Sequence, residues 1–152
     1  MSPTAYFLPA PADDADLSAW ASIIPPGCRV LRSNLFGDMF LLAPDGVMHM
    51  LDRGGFSVDF IAPSEEAFWH IVQDDPEGWQ LRPLADECRR AGKVLTAEQC
   101  YAFTKLPVLG GDYSVENIWV APCQEWFSLT AHLYRQIKDL PDGAVLSLKV
   151  ED

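Results

Sequence analysis

Residues 38–61 read DMFLLAPDGVMHMLDRGGFSVDFI, and the fold turns on how this stretch is read. Its apolar runs are separated by Pro44-Asp45-Gly46 and by Arg53-Gly54-Gly55. Each junction offers glycine where a tight reversal needs a positive φ, so the runs read as successive hairpins. In the last run Phe56, Val58 and Phe60 alternate with Ser57 and Asp59, as in a strand with one wet face. With CRVLRS at 28–33 placed ahead of it, the stretch predicts a four-stranded antiparallel meander.

Helical patterns flank the meander. In DDADLSAWASII at 13–24, Asp13 and Asp14 can cap amides, and Leu17, Trp20 and Ile24 share a face before the Pro25-Pro26-Gly27 stop. Ser64 caps SEEAFWHIVQ at 64–73, with Glu65 and Glu66 in the first turn, where the helix dipole favours them. LRPLADECRRA at 81–91 ends at Gly92, a residue suited to the C′ position. KVLTAEQC at 93–100 reads as a connector and SVENIWV at 114–120 as a strand. In WFSLTAHLYRQIKDL at 126–140, Trp126, Leu129, Leu133, Ile137 and Leu140 form one stripe, closed by Pro141-Asp142-Gly143 before a final strand, AVLSLKV, at 144–150. A chain of 152 residues suits one buried core. The expected fold is therefore α+β, a single domain over 1–152 with a twisted antiparallel sheet and helices packed on one side.

Composition narrows the function classes. The chain carries a net charge of −11. Residues 1–76 set eleven acids against Arg29, Arg32 and Arg53, a net of −8, whereas residues 77–152 reach only −3. Such a field repels nucleic acid and anionic lipid and favours solubility or a basic protein partner. No apolar run approaches the roughly 20 residues of a membrane helix. The opening MSPTAYFLPAPADDADL lacks a basic lead and is cut by Pro9 and Pro11, so the expected location is the cytoplasm. Cys28, Cys88, Cys100 and Cys123 contain no CxxC pair, and His49, His70 and His132 are equally scattered, so the expectation is reduced thiols, no metal and no cofactor.

Catalytic motifs are missing from the sequence. Gly110-Gly111 is followed by Asp112 and Glu116, whose charges oppose a phosphate, and it lacks the lysine of a GxxxxGK[ST] loop. There is no GxSxG elbow. Glu65-Glu66, Asp74-Asp75 and Asp86-Glu87 are adjacent pairs that do not face one another on a helix, so they read as solvated carboxylates rather than an acid/base dyad. The expectation is a protein that is not an enzyme. A binding surface remains, with Trp69 and Trp79 set among Glu65, Glu66, Asp74 and Asp75. Tryptophan anchors interfaces and carboxylates steer a basic partner, while the same residues also fit core tryptophans with an acidic rim.

CYAFTKLPVLGGDYSVENIWV at 100–120, followed by LYRQIKDLPDG at 133–143, resembles the C-terminal domain of type VI secretion immunity proteins that protect bacteria against DNase toxins, formerly a domain of unknown function. The resemblance rests on Tyr101, Phe103, Pro107, Leu109, Gly110, Gly111, Glu116, Asn117, Gln136, Ile137, Leu140, Pro141 and Gly143, and is strongest over about 99–149. A weaker likeness covers the hairpin segment at about 28–75, and the chain is shorter at its N-terminus than two-domain members. The resemblance implies a cytoplasmic immunity protein that occludes a cognate toxin, a basic nuclease being the expected kind. It makes Pro107, Leu109, Gly110, Gly111, Glu116, Asn117, Pro141 and Gly143 structural residues. The alternative is a non-catalytic interaction or regulatory module with an endogenous partner. Exposed strand edges on a small sheet leave room for a homodimer.

Overall fold

The computed structural model describes residues 6–9, 14–74 and 81–138. The meander is present as β1 (Arg29–Ser33), β2 (Met39–Leu42), β3 (Met48–Asp52) and β4 (Ser57–Ala62), antiparallel in the order β1-β2-β3-β4. Gly46 takes up φ +88° at the β2–β3 turn. The β3–β4 turn works differently. Neither Gly54 nor Gly55 has a positive φ there, and Phe56 adopts φ 54° instead. The two glycines serve close approach: a Cβ on Gly54 would meet Pro107 at 2.9 Å, and one on Gly55 would meet the Asp52 carboxylate at 2.5 Å.

β2 is a continuous apolar run because both faces of the sheet are covered. Met39 and Leu41, with Val30, Leu51 and Val58, join the larger core cluster, while Phe40 and Met48 join a smaller one. The smaller cluster is roofed by α1 (Glu65–Asp74), which inserts Phe68 and Val72. Ser64 caps this helix, its Oγ accepting from Ala67 N at 3.1 Å. On the other face lie α2 (Arg82–Arg90), α3 (Cys123–Ile137) and a second sheet of β5 (Gln99–Phe103) and β6 (Ile118–Pro122). The strands thus divide into two sheets within the α+β fold, with a helix on each face of the larger one.

Several local readings are corrected. Residues 99–103, read as the end of a connector and the approach to the glycine loop, are β5, whose residues 100–103 are all buried. Val115–Asn117 form a 3-10 turn, and β6 begins only at Ile118. The first helix is a 3-10 segment, Asp14–Trp20, that buries Leu17 and Trp20. Phe60 is 62% exposed although it keeps the register of Val58 on the same face; the β3–β4 register skips Ile61 only after it, and Ile61 and Ala62 turn inward. In α3 the buried face is Trp126, Phe127, Thr130 and Tyr134, whereas Leu129 is 38% exposed. Pro141, Gly143 and the predicted strand at 144–150 lie outside the described residues.

The reason for the shifted α3 face is Arg53, which is 1% exposed. Its Nε donates to Gly37 O at 3.1 Å, and its guanidinium donates to Thr130 Oγ1 at 2.8 Å and Phe127 O at 3.3 Å. The cation lies 4.2 Å from the Phe127 ring centroid, a cation–π distance. The Arg53 backbone N–H donates to Asp38 Oδ1 at 3.0 Å, and the other Asp38 oxygen accepts from Asn34 Nδ2 at 3.1 Å. Asn34 Oδ1 in turn accepts the amides of Phe36 and Asp38, each at 3.0 Å. Trp126 Nε1 donates to Phe36 O at 3.1 Å, and Tyr101 N to Leu35 O at 2.8 Å. The β1–β2 loop therefore receives bonds from β5, from α3 and from the start of the β3–β4 turn.

Removing one member of such a buried polar set leaves its partners unsatisfied. Arg53→Ala is expected to lower stability by about 3–5 kcal/mol in urea unfolding, and a loss below about 1 kcal/mol would contradict the assigned role. Burial first, and then the Asp52 charge, push Asp38 up to about 7, against the lowering effects of Asn34 and Arg53. Its folded pKa lies above the unfolded value near 3.9, so the native state binds more protons between the two. The contribution is complete below the lower value and lost as pH rises through about 7. Midpoints of urea unfolding should fall between about pH 4 and 7 and level off above that, and Asp38→Asn should flatten the slope.

Candidate partner-binding surface

On α1, Phe68 and Val72 face the core, which leaves Glu65, Glu66, His70, Gln73 and Asp74 exposed. Glu66, His70 and Asp74 are spaced four apart and line one solvent row. The His70 Nε2–Glu66 Oε1 distance is 4.0 Å. Trp69 is half-buried between the row and the small core. Its ring meets Phe68 at 5.0 Å and Phe7 at 5.8 Å, and the Arg32 guanidinium lies 5.6 Å from its centroid. Its Nε1 donates to Glu65 Oε2 at 3.4 Å. The structure thus brings Glu65, Glu66, Trp69 and Asp74 onto one short helix, with Trp69 showing only part of its ring. Asp75 and Trp79 lie outside the described residues.

The second region named in the sequence, 105–120, is a closed turn. Pro107–Leu109 form a 3-10 turn, and Gly110 follows with φ 93°. Gly110 N donates to Pro107 O at 2.9 Å and Gly111 N to Leu106 O at 3.0 Å, so both amides are engaged internally and neither faces outward to cradle an anion. A Cβ on Gly111 would fall 1.8 Å from Lys105 O. Asn117 spans the loop: its Oδ1 accepts from Lys105 N at 2.9 Å, and its Nδ2 donates to Lys105 O at 2.9 Å and Asp112 O at 2.8 Å. Leu109 packs against the larger core, and Glu116 is exposed. Lys93 Nζ donates to the carbonyls of Val115 (3.0 Å) and Ile118. The loop is docked on the meander through Val108 N donating to Gly54 O at 3.0 Å, with Pro107 against Gly54.

Sequence reading passed over the exposed aromatics beside this loop. Tyr113 is 52% exposed with its ring 5.3 Å from Phe103, and Trp119 is 39% exposed. The alternation of buried Ile118 and half-buried Val120 with outward Trp119 was the available signal, hidden by reading the strand from residue 114. His132 lies on the exposed side of α3 with Nε2 3.0 Å from Gln136 Nε2, and His49 packs edge-on against Phe60 at 6.3 Å. Among the described residues no three of His, Cys, Asp or Glu gather as a metal-ligand set, and no helix is long and apolar enough to cross a membrane.

Comparison with known proteins gives one family match. Residues 65–134 match the family model described as T6SS immunity protein Tdi1, C-terminal, in agreement with the resemblance read from the sequence. The matched segment opens at the first residue of α1, contains the 105–120 loop, and ends within α3 at Tyr134. β1–β4 lie upstream of it. No curated protein matches the chain.

The close contact at Gly111 makes a specific demand. Gly111→Ala is expected to cost about 2–3 kcal/mol, since backbone must move to admit the methyl group. Gly46→Ala has a positive φ but nothing within 4 Å of the new Cβ, and should cost only about 1 kcal/mol. Equal losses in urea unfolding would remove the close approach as the reason for glycine at 111.

Proposed function

We propose that this protein is an immunity protein of type VI secretion, held in the cytoplasm of the producing cell, that binds a cognate toxin and occludes its working surface. The reading is supported first by the match over residues 65–134. It is supported further by the position of α1, which opens that segment and turns Glu65, Glu66 and Asp74 to solvent with no lysine or arginine anywhere on the helix. The toxin class we propose is a basic nuclease. Carboxylates of Glu65, Glu66, Asp74 and Asp75 would take the places that substrate phosphates occupy, and Trp69 and Trp79 would supply apolar anchorage. Charges at an interface rim act mainly on encounter rate, and buried aromatics on residence time. Inhibition by this route needs one copy per toxin and no chemistry from the immunity protein.

The test is combined charge reversal of Glu65, Glu66, Asp74 and Asp75 to lysine, assayed against a candidate cognate toxin. The association rate at low salt is expected to fall by at least about tenfold, with the difference shrinking as salt screens it. Neutralisation and association unchanged by the four reversals would place the binding surface elsewhere.

A further inference from the structure

β1 is interrupted by a bulge. Its register with β2 runs Val30↔Leu41 and then Arg32↔Phe40, which leaves Leu31 as the extra residue. An extra residue breaks the in–out alternation of a strand and re-aims the side chains that follow. Val30 packs with the larger core, whereas Leu31 packs with the smaller core beneath α1. Regular alternation would return Arg32 to the face of Val30. The bulge instead sets Arg32 opposite Phe40 on the α1 face, with its guanidinium 5.6 Å from the Trp69 ring centroid.

The result is one cation set into an acidic surface. Trp69 Nε1 donates to Glu65 Oε2 at 3.4 Å, so Glu65 and Arg32 meet the same indole, and α1 itself has no lysine or arginine. Arg32 is exposed. Among the described residues its guanidinium makes one hydrogen bond, Nη1 donating to Leu31 O at 2.9 Å, and no ion pair with a carboxylate. A guanidinium is a rigid planar fork of N–H donors, so one already held by a ring and a carbonyl loses little freedom on meeting a carboxylate. Donors remain for a two-bond contact of the charge-assisted kind. A charge that guards an edge strand against sheet pairing is the plainer account of an arginine on β1. Arg29, exposed on the same strand, fits that account, but the guard needs neither the bulge nor the indole.

We propose that Arg32 is a specificity-determining contact of the partner-binding surface, and that it takes a carboxylate which the toxin displays within its basic face. This role rests on the immunity reading above and adds to it the chemistry of one subsite. The acids of α1 attract basic proteins in general. A cation fixed among them repels a partner that presents lysine or arginine at that point and rewards one that presents an acid, which is how one acidic surface tells basic partners apart. Arg32 lies outside residues 65–134, so the discriminating group comes from the meander and not from the family-matched segment.

The experiment measures association and dissociation rates of a candidate cognate toxin with the full chain, unaltered and as Arg32→Met, Arg32→Lys and Arg32→Glu. Met keeps an apolar stem against Trp69 without the charge, and Lys keeps the charge without the fork. If only the acidic field mattered, Arg32→Glu would remove a cation from a chain of net charge −11 and bind a basic toxin faster and more tightly. A carboxylate contact at Arg32 gives weaker binding instead. Dissociation is expected to be at least about tenfold faster for Met and for Glu, with a smaller change for Lys. Changing the opposing toxin carboxylate to lysine should restore binding to the Arg32→Glu chain. Urea midpoints are read alongside, and the Lys and Glu chains decide the matter where Arg32→Met folds poorly. Unchanged dissociation of Arg32→Met, or tighter binding of Arg32→Glu, would overturn the proposal. Should the combined reversals at Glu65, Glu66, Asp74 and Asp75 still slow association in that case, the surface stands and only the role of Arg32 falls. No complex with the unaltered chain would overturn the immunity reading and this role with it.

Discussion

The Arg53 guanidinium sits in the interior between the Phe127 ring and the carbonyl of Gly37, and an ion so placed calls for oriented dipoles and an aromatic face around it. That requirement shapes what surrounds it. α3 turns Thr130 rather than Leu129 inward because a hydroxyl is needed 2.8 Å from the cation. The β1–β2 loop folds back so that Asp38 can receive the Arg53 amide, and Asn34 organises that loop by accepting two of its amides and donating to Asp38. Gly37, at φ 83°, keeps the loop low enough for Phe127 to lie across it, since a Cβ there would meet that ring at 2.8 Å.

A consequence follows for the family-matched segment. Residues 65–134 contain the 105–120 loop and α3 as far as Tyr134, yet groups that help seat both come from upstream. Arg53 and Gly37 fix α3. Gly54 receives Pro107 and accepts the Val108 amide at 3.0 Å. The meander is therefore part of the working unit, and it also supplies Phe7's neighbour Phe40 and the Arg32 cation that hold Trp69 beside the acidic row of α1.

Much of this could be read in the sequence, and what could not shares a physical cause. Local rules found the hairpins of residues 38–61, the Ser64 cap and the Gly92 stop, because turn and cap residues act within a few positions. The exposed row of α1 was equally legible from the spacing of Glu66, His70 and Asp74. β5 was missed because Cys100, Tyr101, Ala102 and Phe103 are all buried, and a strand covered on both faces shows no alternation. Phe60 was placed inward because its alternation with Val58 is real, but nothing local shows that this face is left open at Phe60. The α3 stripe was misjudged for a long-range reason: Thr130 is inside only because Arg53, seventy-seven residues earlier, is there too. In the 105–120 loop the glycines signalled a turn, but the bonds from Asn117 to Lys105 and Asp112 required the folded chain.

The most direct measurement is hydrogen exchange of this protein alone and mixed with a candidate cognate toxin. The account predicts a one-to-one complex in which new protection concentrates on the amides of α1, 65–74, and the adjoining residues up to 80. A one-to-one complex with α1 unprotected and protection around Tyr113 and Trp119 would contradict the assigned surface, and the lack of any complex would contradict the immunity reading itself.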